Sequence, residues 1–404
     1  MRINEFAGDV AALKRLVNAN VARLNTLMER DGADGLFVIT VDNWRYLTGL
    51  PVHHSVSYAN VNGAILRRGD ELPYLLPLDF FANGIRPTAP WYPILKELPF
   101  LGTMEAYQPT GADKWPQLIA DAFTELGLAR GTVAIDPGTP WVIVDKLRSC
   151  LRGVRFADAS SILTEARIIK NRDEIDSIRR ACKIADLAIN CALAEAREGI
   201  SESELAGVVE SVFRKNGAEH ASMMPCIFSG DHPRLGYISS SDRKINSGEL
   251  VRIDIGCVVD GYCCCIARTG FVGRMDPEVT EAYAFLRETL SAGIESVRPG
   301  ITNTQVHKSM HDTLQKKSKG KYGLDSYGGH GIGLGLHEQP MIGSSSAVSE
   351  IVLQPGMVFA IEPSIRLVGK GWLGLEDNVA VNRDGVDVLS HAKFGLQEPR
   401  TNSN

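Results

Sequence analysis

The sequence has no surplus of basic charge, no long apolar run and no low-complexity segment. Its 43 lysines and arginines stand against 48 acids, and the net charge of -5 gives no reason to expect a nucleic-acid or membrane partner. No basic stripe interleaved with aromatic residues stands out. The opening stretch MRINEFAGDVAALKRL lacks the apolar core of a signal peptide and is too charged to span a membrane. We therefore expect a cytoplasmic protein with a small-molecule substrate.

Cysteine is scarce and irregularly placed. The 8 cysteines show no paired spacing, and a chain of 404 residues needs no disulfides to stabilise its core. Cys263, Cys264 and Cys265 are consecutive, so in a strand they point alternately to opposite faces and cannot readily pair with one another. We expect them to be buried as small apolar side chains. A nucleophilic role for Cys265 would need a nearby cation or helix N-terminus to lower its pKa, and the sequence shows neither.

The chain divides into two predicted domains near residue 160. Residues 1–160 alternate strand-like runs, such as GLFVIT and TVAIDPG, with helical patterns such as WPQLIADAFTEL, which is typical of a mixed α/β domain. Residues 161–404 begin with a long amphipathic helix, and SESELAGVVESVFRKNG adds another, with Ser201 as its N-cap and Glu204 at N3. The fold class expected from this pattern is α/β or α+β, with the functional residues on strands between the later helices.

Three acids interrupt apolar runs that otherwise resemble buried strands. Asp254 lies in LVRIDIGCVVDGY, Glu362 in FAIEPSI and Glu376 in LGLEDNVAV. An acid that points into a core is strongly destabilising unless it is protonated, paired or bound to a cation. The glycine-rich stretch YGGHGIGLGLHE adds His330 and His337. The sequence therefore predicts one polar site to which several strands contribute.

Taken in order, these motifs resemble the creatinase/methionine-aminopeptidase superfamily with its pita-bread fold, in the branch of Xaa-Pro peptidases, creatinase and ectoine hydrolase. The resemblance implies an N-terminal creatinase-like α/β domain and a C-terminal catalytic domain in which helices flank an antiparallel sheet. It also implies a homodimer. Metal-dependent members hold two divalent ions on two Asp, one His and two Glu, and the matching positions in this chain are Asp254, His330, Glu362 and Glu376.

The chain departs from the family pattern at the fifth ligand position, where Cys265 replaces Asp. A thiolate prefers softer ions such as zinc, which argues against hydrolysis by two ions. The family's upstream catalytic histidine aligns with Tyr237, and the arginine that peptidases place before the last glutamate aligns with Gly374. Creatinase, which is metal-free, has a glutamate where this chain has Ala267. We therefore expect either one divalent ion (zinc, manganese, iron or cobalt) or none.

The candidate site residues form overlapping groups, which the resemblance and the buried acids together define. The predicted catalytic residues are His337, His330, Glu362, Tyr237 and His232. The predicted substrate-binding residues are Asp254, Glu376, Cys265, His53 and His54. His53 and His54 would reach the site from a partner subunit. The predicted metal ligands are Asp254, His330, Glu362 and Glu376, with Cys265 in place of the usual fifth ligand.

Three functions fit this set of residues. The first is hydrolysis of a C–N bond in a small non-peptide polar compound of the amide, amidine or guanidino type. The acids favour such a substrate because a carboxylate can accept two hydrogen bonds from a planar cationic group. The alternative is a metal-dependent Xaa-Pro aminopeptidase or dipeptidase, which the run His337-Glu338-x-Pro340 favours. The third is a lyase or a catalytically inactive small-molecule binder.

Overall fold

The chain forms two compact units, which divide between Arg167 and Ile168. The computed structural model describes residues 10–51, 62–99, 114–231 and 240–395. Within these ranges, no helix combines the length and the apolar character that are needed to cross a bilayer.

The N-terminal unit contains a mixed sheet of five strands with helices on it. The strands are β1 (Gly35–Val38), β2 (Gly63–Arg67), β3 (Tyr74–Leu76), β4 (Gly131–Ile135) and β5 (Val154–Asp158). The helices are α1 (Val10–Asp31), α2 (Val41–Thr48), α3 (Asp79–Thr88), α4 (Trp115–Glu125), α5 (Trp141–Cys150) and α6 (Ser160–Ile168). In the strand order β3-β2-β1-β4-β5, β1 pairs antiparallel with β2 and parallel with β4. Phe37, Val133 and Phe123 are buried together in its core, and the predicted mixed α/β domain is confirmed.

The C-terminal unit combines four helices with thirteen strands among the described residues. The helices are α7 (Arg172–Glu195), α8 (Glu202–Lys215), α9 (Pro277–Ser296) and α10 (Asn303–Ser318). The earlier strands are β6 (His220–Ala221), β7 (Cys226–Ser229), β8 (Leu250–Ile255), β9 (Cys257–Val259), β10 (Tyr262–Cys263) and β11 (Ile266–Phe271). The later strands are β12 (Tyr327–Gly331), β13 (Glu338–Gly343), β14 (Val358–Ile361), β15 (Ser364–Leu367), β16 (Gly371–Gly374), β17 (Asp377–Val381) and β18 (Val386–Val388).

The strands of this unit pair antiparallel throughout the part of the chain that is described. Their orders are β10-β9-β6, β11-β8-β7, β13-β12-β14-β17-β18 and β15-β16. Leu286 of α9 and Leu314 of α10 are buried in one apolar core with Phe359 of β14. A bridge between Ala267 and Glu376 brings β11 next to the start of β17. The expected antiparallel sheet flanked by helices is therefore confirmed.

Helix α8 begins as its sequence predicts. The Ser201 side chain accepts a hydrogen bond from the backbone N–H of Glu204, and the Glu204 carboxylate accepts one from the backbone N–H of Ser201. These two bonds satisfy amide groups that have no partner within the helix. The predicted capping box is confirmed.

Candidate active site

Five of the predicted site residues line one cavity of about 490 Å³ in the C-terminal unit. They are Asp254, Cys265, His330, His337 and Glu362. Glu376, a sixth, is fully buried next to them, with its Oε1 3.5 Å from Nε2 of His330. A cavity of this volume suits a small ligand. The strands therefore bring together residues that are far apart in the sequence.

Four other predicted site residues fall outside the described part of the chain. They are His53, His54, His232 and Tyr237. Their roles in catalysis and substrate binding remain predictions.

Cys265 lies in the short segment between β10 and β11, and Asn378 fixes its backbone. The amide oxygen of Asn378 accepts a hydrogen bond from the Cys265 N–H at 3.1 Å, and the amide nitrogen donates to the Cys265 carbonyl. The thiol sulfur lies 3.8 Å from Oδ1 of Asp254 on the adjacent strand β8. Burial and the nearby Glu376 raise the pKa of this thiol well above its ordinary value. A free thiolate nucleophile is disfavoured there, since a low pKa is what activates a cysteine.

His330 reaches the cavity because β12 is irregular. The pairing of β12 with β13 shifts register on both sides of Gly329, so residues that strict alternation would separate turn towards one side. A β-carbon at Gly329 (φ +151°) would lie 2.1 Å from the carbonyl oxygen of Ala360, so no larger residue fits. As a result His330 and Tyr327 both line the cavity. Tyr327 opens the glycine-rich motif, but its sequence position gave no reason to assign it a role.

The orientation of His330 leaves one ring nitrogen for the acids. Its Nδ1 lies 3.1 Å from the carbonyl oxygen of Gly331, which can only accept, so the proton is on Nδ1. Its Nε2 then faces Glu362 at 3.6 Å and Glu376 at 3.5 Å. A histidine with one ring nitrogen fixed by a carbonyl and the other facing acids is oriented as metal-ligating histidines usually are.

The carboxylates are too close together and too buried to ionise freely. Burial and the neighbouring Glu376 raise the pKa of Glu362 to about 8. Burial and Asp254 raise the pKa of Glu376 well above its ordinary value. Both raised pKa values indicate that these carboxyl groups hold a proton unless a cation is bound, because like charges repel strongly in a desolvated site.

His337 stands beside His330, with 4.1 Å between the ring centroids. Burial and the neighbouring imidazole lower the pKa of His337 to about 4, so it is neutral near pH 7. The residue that follows, Glu338, accepts a hydrogen bond from the backbone N–H of Gly335 at 2.8 Å and pairs with Lys170 at 3.0 Å. The side chains of Glu338 and Lys170 are almost completely buried, and this ion pair anchors the segment that carries His337.

Arg252 is a site residue that the sequence analysis missed. Its Nη2 lies 3.0 Å from Oδ2 of Asp254, and each side chain is only 3% exposed. The available signal was the strand period, because residues 252 and 254 of one strand point to the same face. An arginine on the buried face of β8 needed a carboxylate partner, and Asp254 was the nearest acid.

The side chains of Cys265, His330 and Glu376 fit one divalent ion. One donor atom each from Cys265, His330 and Glu376 lie within 4.8 Å of one another. Both carboxylate oxygens of Glu376 are buried without a hydrogen-bond partner, which is an arrangement that a cation would satisfy. Thiolate, imidazole and carboxylate donors together suit zinc and related transition ions. A second ion fits less well, because Asp254 is already engaged by the guanidinium of Arg252.

The sequence matches two family profiles that together span most of the chain. The profile of metallopeptidase family M24 matches residues 176–383, and that of the creatinase/prolidase N-terminal domain matches residues 20–169. The Xaa-Pro dipeptidase of Pyrococcus furiosus is 33% identical over 265 residues, which are 66% of this chain and 75% of that relative. A putative dipeptidase of Bacillus subtilis is 26% identical over 371 residues, which are 92% of this chain and 97% of that relative.

Solved structures agree with these relatives. The crystal structure of a dipeptidase from Pyrococcus horikoshii OT3 has a TM-score of 0.79 and 25% identity, and the match covers 93% of this chain and 99% of that chain. A prolidase from Thermococcus sibiricus gives a TM-score of 0.79 and 26% identity over 93% of this chain and 97% of that one. The predicted superfamily and its pita-bread fold are confirmed. With the profile extending across the strands that build the cavity, the chain belongs to the hydrolases of metallopeptidase family M24.

Proposed function

We propose that this protein hydrolyses the peptide bond of Xaa-Pro dipeptides. The observation that carries the proposal is the cavity in which Asp254, Cys265, His330, His337 and Glu362 meet. The relatives from Pyrococcus furiosus and Thermococcus sibiricus are a Xaa-Pro dipeptidase and a prolidase. They favour the peptidase alternative of the sequence analysis and give no support to its first choice, a non-peptide substrate.

The lining of the cavity supports a substrate with both an apolar and a polar part. Met223, Met224, Leu336 and Trp372 add apolar surface beside the acids and histidines. A prolyl ring is compact and apolar, whereas the amide next to it needs hydrogen-bonding partners once it is desolvated. Pockets for small ligands commonly combine apolar walls with a few polar groups in this way.

His337 and Glu362 have properties that suit proton transfer and hydrogen bonding to the scissile amide. Neutral at pH 7, His337 is able to donate a hydrogen bond to a substrate carbonyl without the cost of burying a charge. Glu362 has a pKa of about 8, close to the pH at which a general base and acid works best. A divalent ion held by Cys265, His330 and Glu376 would supply Lewis-acid polarisation of the carbonyl when bound.

The non-peptide reaction remains a second candidate because of two replacements. Cys265 stands at a position where the resemblance predicts Asp, and Gly374 at one where peptidases have arginine. The replacement of an Asp by Cys265 removes a negative charge from the surroundings of the substrate. Small amides, amidines or guanidino compounds are therefore the comparison substrates.

The test is a substrate panel with purified full-length protein. We expect hydrolysis of Xaa-Pro dipeptides, with kcat/KM at least about 10-fold above that for the matched Xaa-Ala dipeptides. Glu362→Gln should abolish this activity without changing the far-UV circular dichroism. Turnover of creatine or a cyclic amidine with no cleavage of any dipeptide would overturn the proposal in favour of the second candidate.

A further inference from the structure

We infer that this site holds a single divalent ion, on Cys265, His330 and Glu376, and that the guanidinium of Arg252 supplies at Asp254 the positive charge that a second ion would supply in a two-ion site. The inference deepens the proposed function and rests on the same cavity. It concerns the charges in the site and not the substrate.

Asp254 divides its two carboxylate oxygens between Arg252 and Cys265. One carboxylate oxygen, Oδ2, lies 3.0 Å from Nη2 of Arg252, and the other, Oδ1, lies 3.8 Å from the sulfur of Cys265. A buried guanidinium and carboxylate at this distance form a strong charge-assisted pair. An ion bound to Asp254 would sit next to the guanidinium in a desolvated environment, where like charges repel strongly. Asp254 is therefore a partner for Arg252 and not a ligand for a second ion.

Gly374 leaves the space that the guanidinium of Arg252 fills. A β-carbon at Gly374 would lie 2.6 Å from both Cζ and Nε of Arg252, so the guanidinium lies where a side chain at position 374 would begin. The backbone of Gly374 cannot easily move away, since its N–H donates to the hydroxyl of Thr269 at 2.9 Å and that hydroxyl donates to its carbonyl at 3.0 Å. The ring of Trp372 on the same strand lies 5.3 Å from the guanidinium carbon, within range of a cation–π interaction.

These contacts explain the replacement found at Gly374 in the sequence. The arginine expected there is absent, and an arginine at position 252 fills the space from the neighbouring strand β8. A side chain at position 374 would therefore displace the guanidinium of Arg252. Arg252 places a positive charge beside Asp254 in the absence of an arginine at 374.

Three donor residues lie on the other side of the site. Cys265, His330 and Glu376 offer a sulfur, a nitrogen and an oxygen within 4.8 Å of one another, which suffices for one ion. The backbone of Cys265 is fixed by Asn378, so its sulfur is held in place. Because Cys265 occupies the position at which the resemblance predicts an Asp ligand, the donor set differs from the five-ligand set of a two-ion site.

The experiment measures metal content and absorption, neither of which needs a substrate. Full-length protein loaded with Co²⁺ should bind about one equivalent per chain and show a thiolate-to-cobalt charge-transfer band in the near ultraviolet. Cys265→Ser should lose this band. Cys263→Ser is the matched control, since Cys263 is buried in the same segment but its thiol donates to the Leu334 carbonyl, and it should keep the band. Two equivalents, no band or no bound cobalt in the wild-type protein would each overturn the inference.

The role of Arg252 is tested by restoring the missing carboxylate. Cys265→Asp alone should still bind one equivalent of Co²⁺, because Arg252 continues to engage Asp254. The double variant Cys265→Asp/Arg252→Gln should bind two equivalents, since glutamine keeps a hydrogen bond to Asp254 without the charge. Two equivalents in the single variant, or one in the double variant, would contradict the assigned role.

A second pair of variants tests the same contact through thermal stability. Gly374→Arg should lower Tm, because the new side chain collides with Arg252. Adding Arg252→Gln should recover most of that loss, a non-additivity expected only of residues in contact. If the two effects simply add, Arg252 does not occupy this space. Since all of these readouts are independent of turnover, their failure would leave the dipeptidase proposal to its own kinetic test.

Discussion

Two buried arginine–aspartate pairs of the C-terminal unit have the same chemistry and different surroundings. Arg268 and Asp377 lie 2.6 Å apart, and Arg252 and Asp254 lie 3.0 Å apart, with all four side chains almost completely buried. Arg268 also donates to the carbonyls of Ala267, Glu376 and Ala392, and Asp377 accepts from the hydroxyl of Ser390.

The second pair opens onto the cavity. Asp254 lines the cavity wall, and its second oxygen faces the thiol of Cys265. A buried ion pair contributes to stability when hydrogen bonds satisfy both partners, as they do around Arg268. The comparison teaches that burial and distance alone do not separate a structural pair from a functional one. What decides is whether the carboxylate also faces the space where a ligand binds.

The largest effect on stability should come from breaking the pair of Arg268 and Asp377. Arg268→Met leaves Asp377 buried and charged without its partner, so we expect the free energy of unfolding to fall by about 3–5 kcal/mol. Urea denaturation followed by circular dichroism measures it. The control is Arg179→Met, which removes a partly exposed pair with Asp387 and should cost less than about 1 kcal/mol. Equal losses in the two variants would mean that the hydrogen bonds around Arg268 contribute nothing.

A change at Glu376, beside the cavity, should reduce activity strongly and stability only slightly. Glu376→Gln should lower kcat/KM on an Xaa-Pro dipeptide on the order of 10³-fold, which equals ~4 kcal/mol of transition-state stabilisation. Its stability should change by less than about 1 kcal/mol, because neither carboxylate oxygen accepts a hydrogen bond. The same urea titration checks this. A stability loss as large as that of Arg268→Met would place Glu376 with the structural residues.

A third ion pair is buried like the pair of Arg268 and Asp377 but should affect activity, as Glu376 does. Lys170 and Glu338 are buried like Arg268 and Asp377, but they hold the segment that carries His337. Lys170→Met should lower kcat about 10-fold with little change in KM, because His337 loses its fixed position while the cavity keeps its lining. A steady-state comparison with the wild-type protein gives the split. An effect confined to KM would show that this pair shapes binding and not the orientation of His337.

The smallest effect should come from a helix cap whose residues do not line the cavity. Ser201→Ala removes the side-chain acceptor at the start of α8 and should cost about 1 kcal/mol of stability. The dipeptidase activity should remain unchanged. Ser203→Ala, an exposed position in the first turn of the same helix, is the matched control and should be neutral or slightly stabilising. If Ser201→Ala also reduces activity, the distinction between stabilising and catalytic residues drawn here is incomplete.

Much of the site could be predicted because its residues conflict with their local sequence. Asp254, Glu362 and Glu376 each interrupt an apolar strand, and His330 lies among glycines that admit close backbone approach. Such conflicts are visible without a structure. The strand period places Arg252 on the same face as Asp254, but the space that its guanidinium fills at Gly374 comes from another strand and leaves no signal near Arg252 in the sequence.

One histidine outside the cavity has a buried position that the sequence did not reveal. His307 is buried and its Nε2 lies 2.7 Å from the carbonyl oxygen of Asp325. Its position in α10 follows the helical apolar spacing of Val306 and Met310 closely enough to face the core. A single polar residue in an otherwise polar helix gives no indication of which face it occupies.

The sequence by itself determined the two-part α/β organisation, the capping box of α8 and six of the residues in and beside the cavity, namely Asp254, Cys265, His330, His337, Glu362 and Glu376. These properties depend on local periodicity, on capping and on short motifs, which act over a few neighbouring residues. Only the tertiary structure decided which charges balance one another. The pairs of Arg268 with Asp377 and of Lys170 with Glu338, and the fit of Arg252 into the space at Gly374, depend on contacts between residues far apart in the sequence. In a desolvated site, such contacts control which carboxylates remain available to a cation.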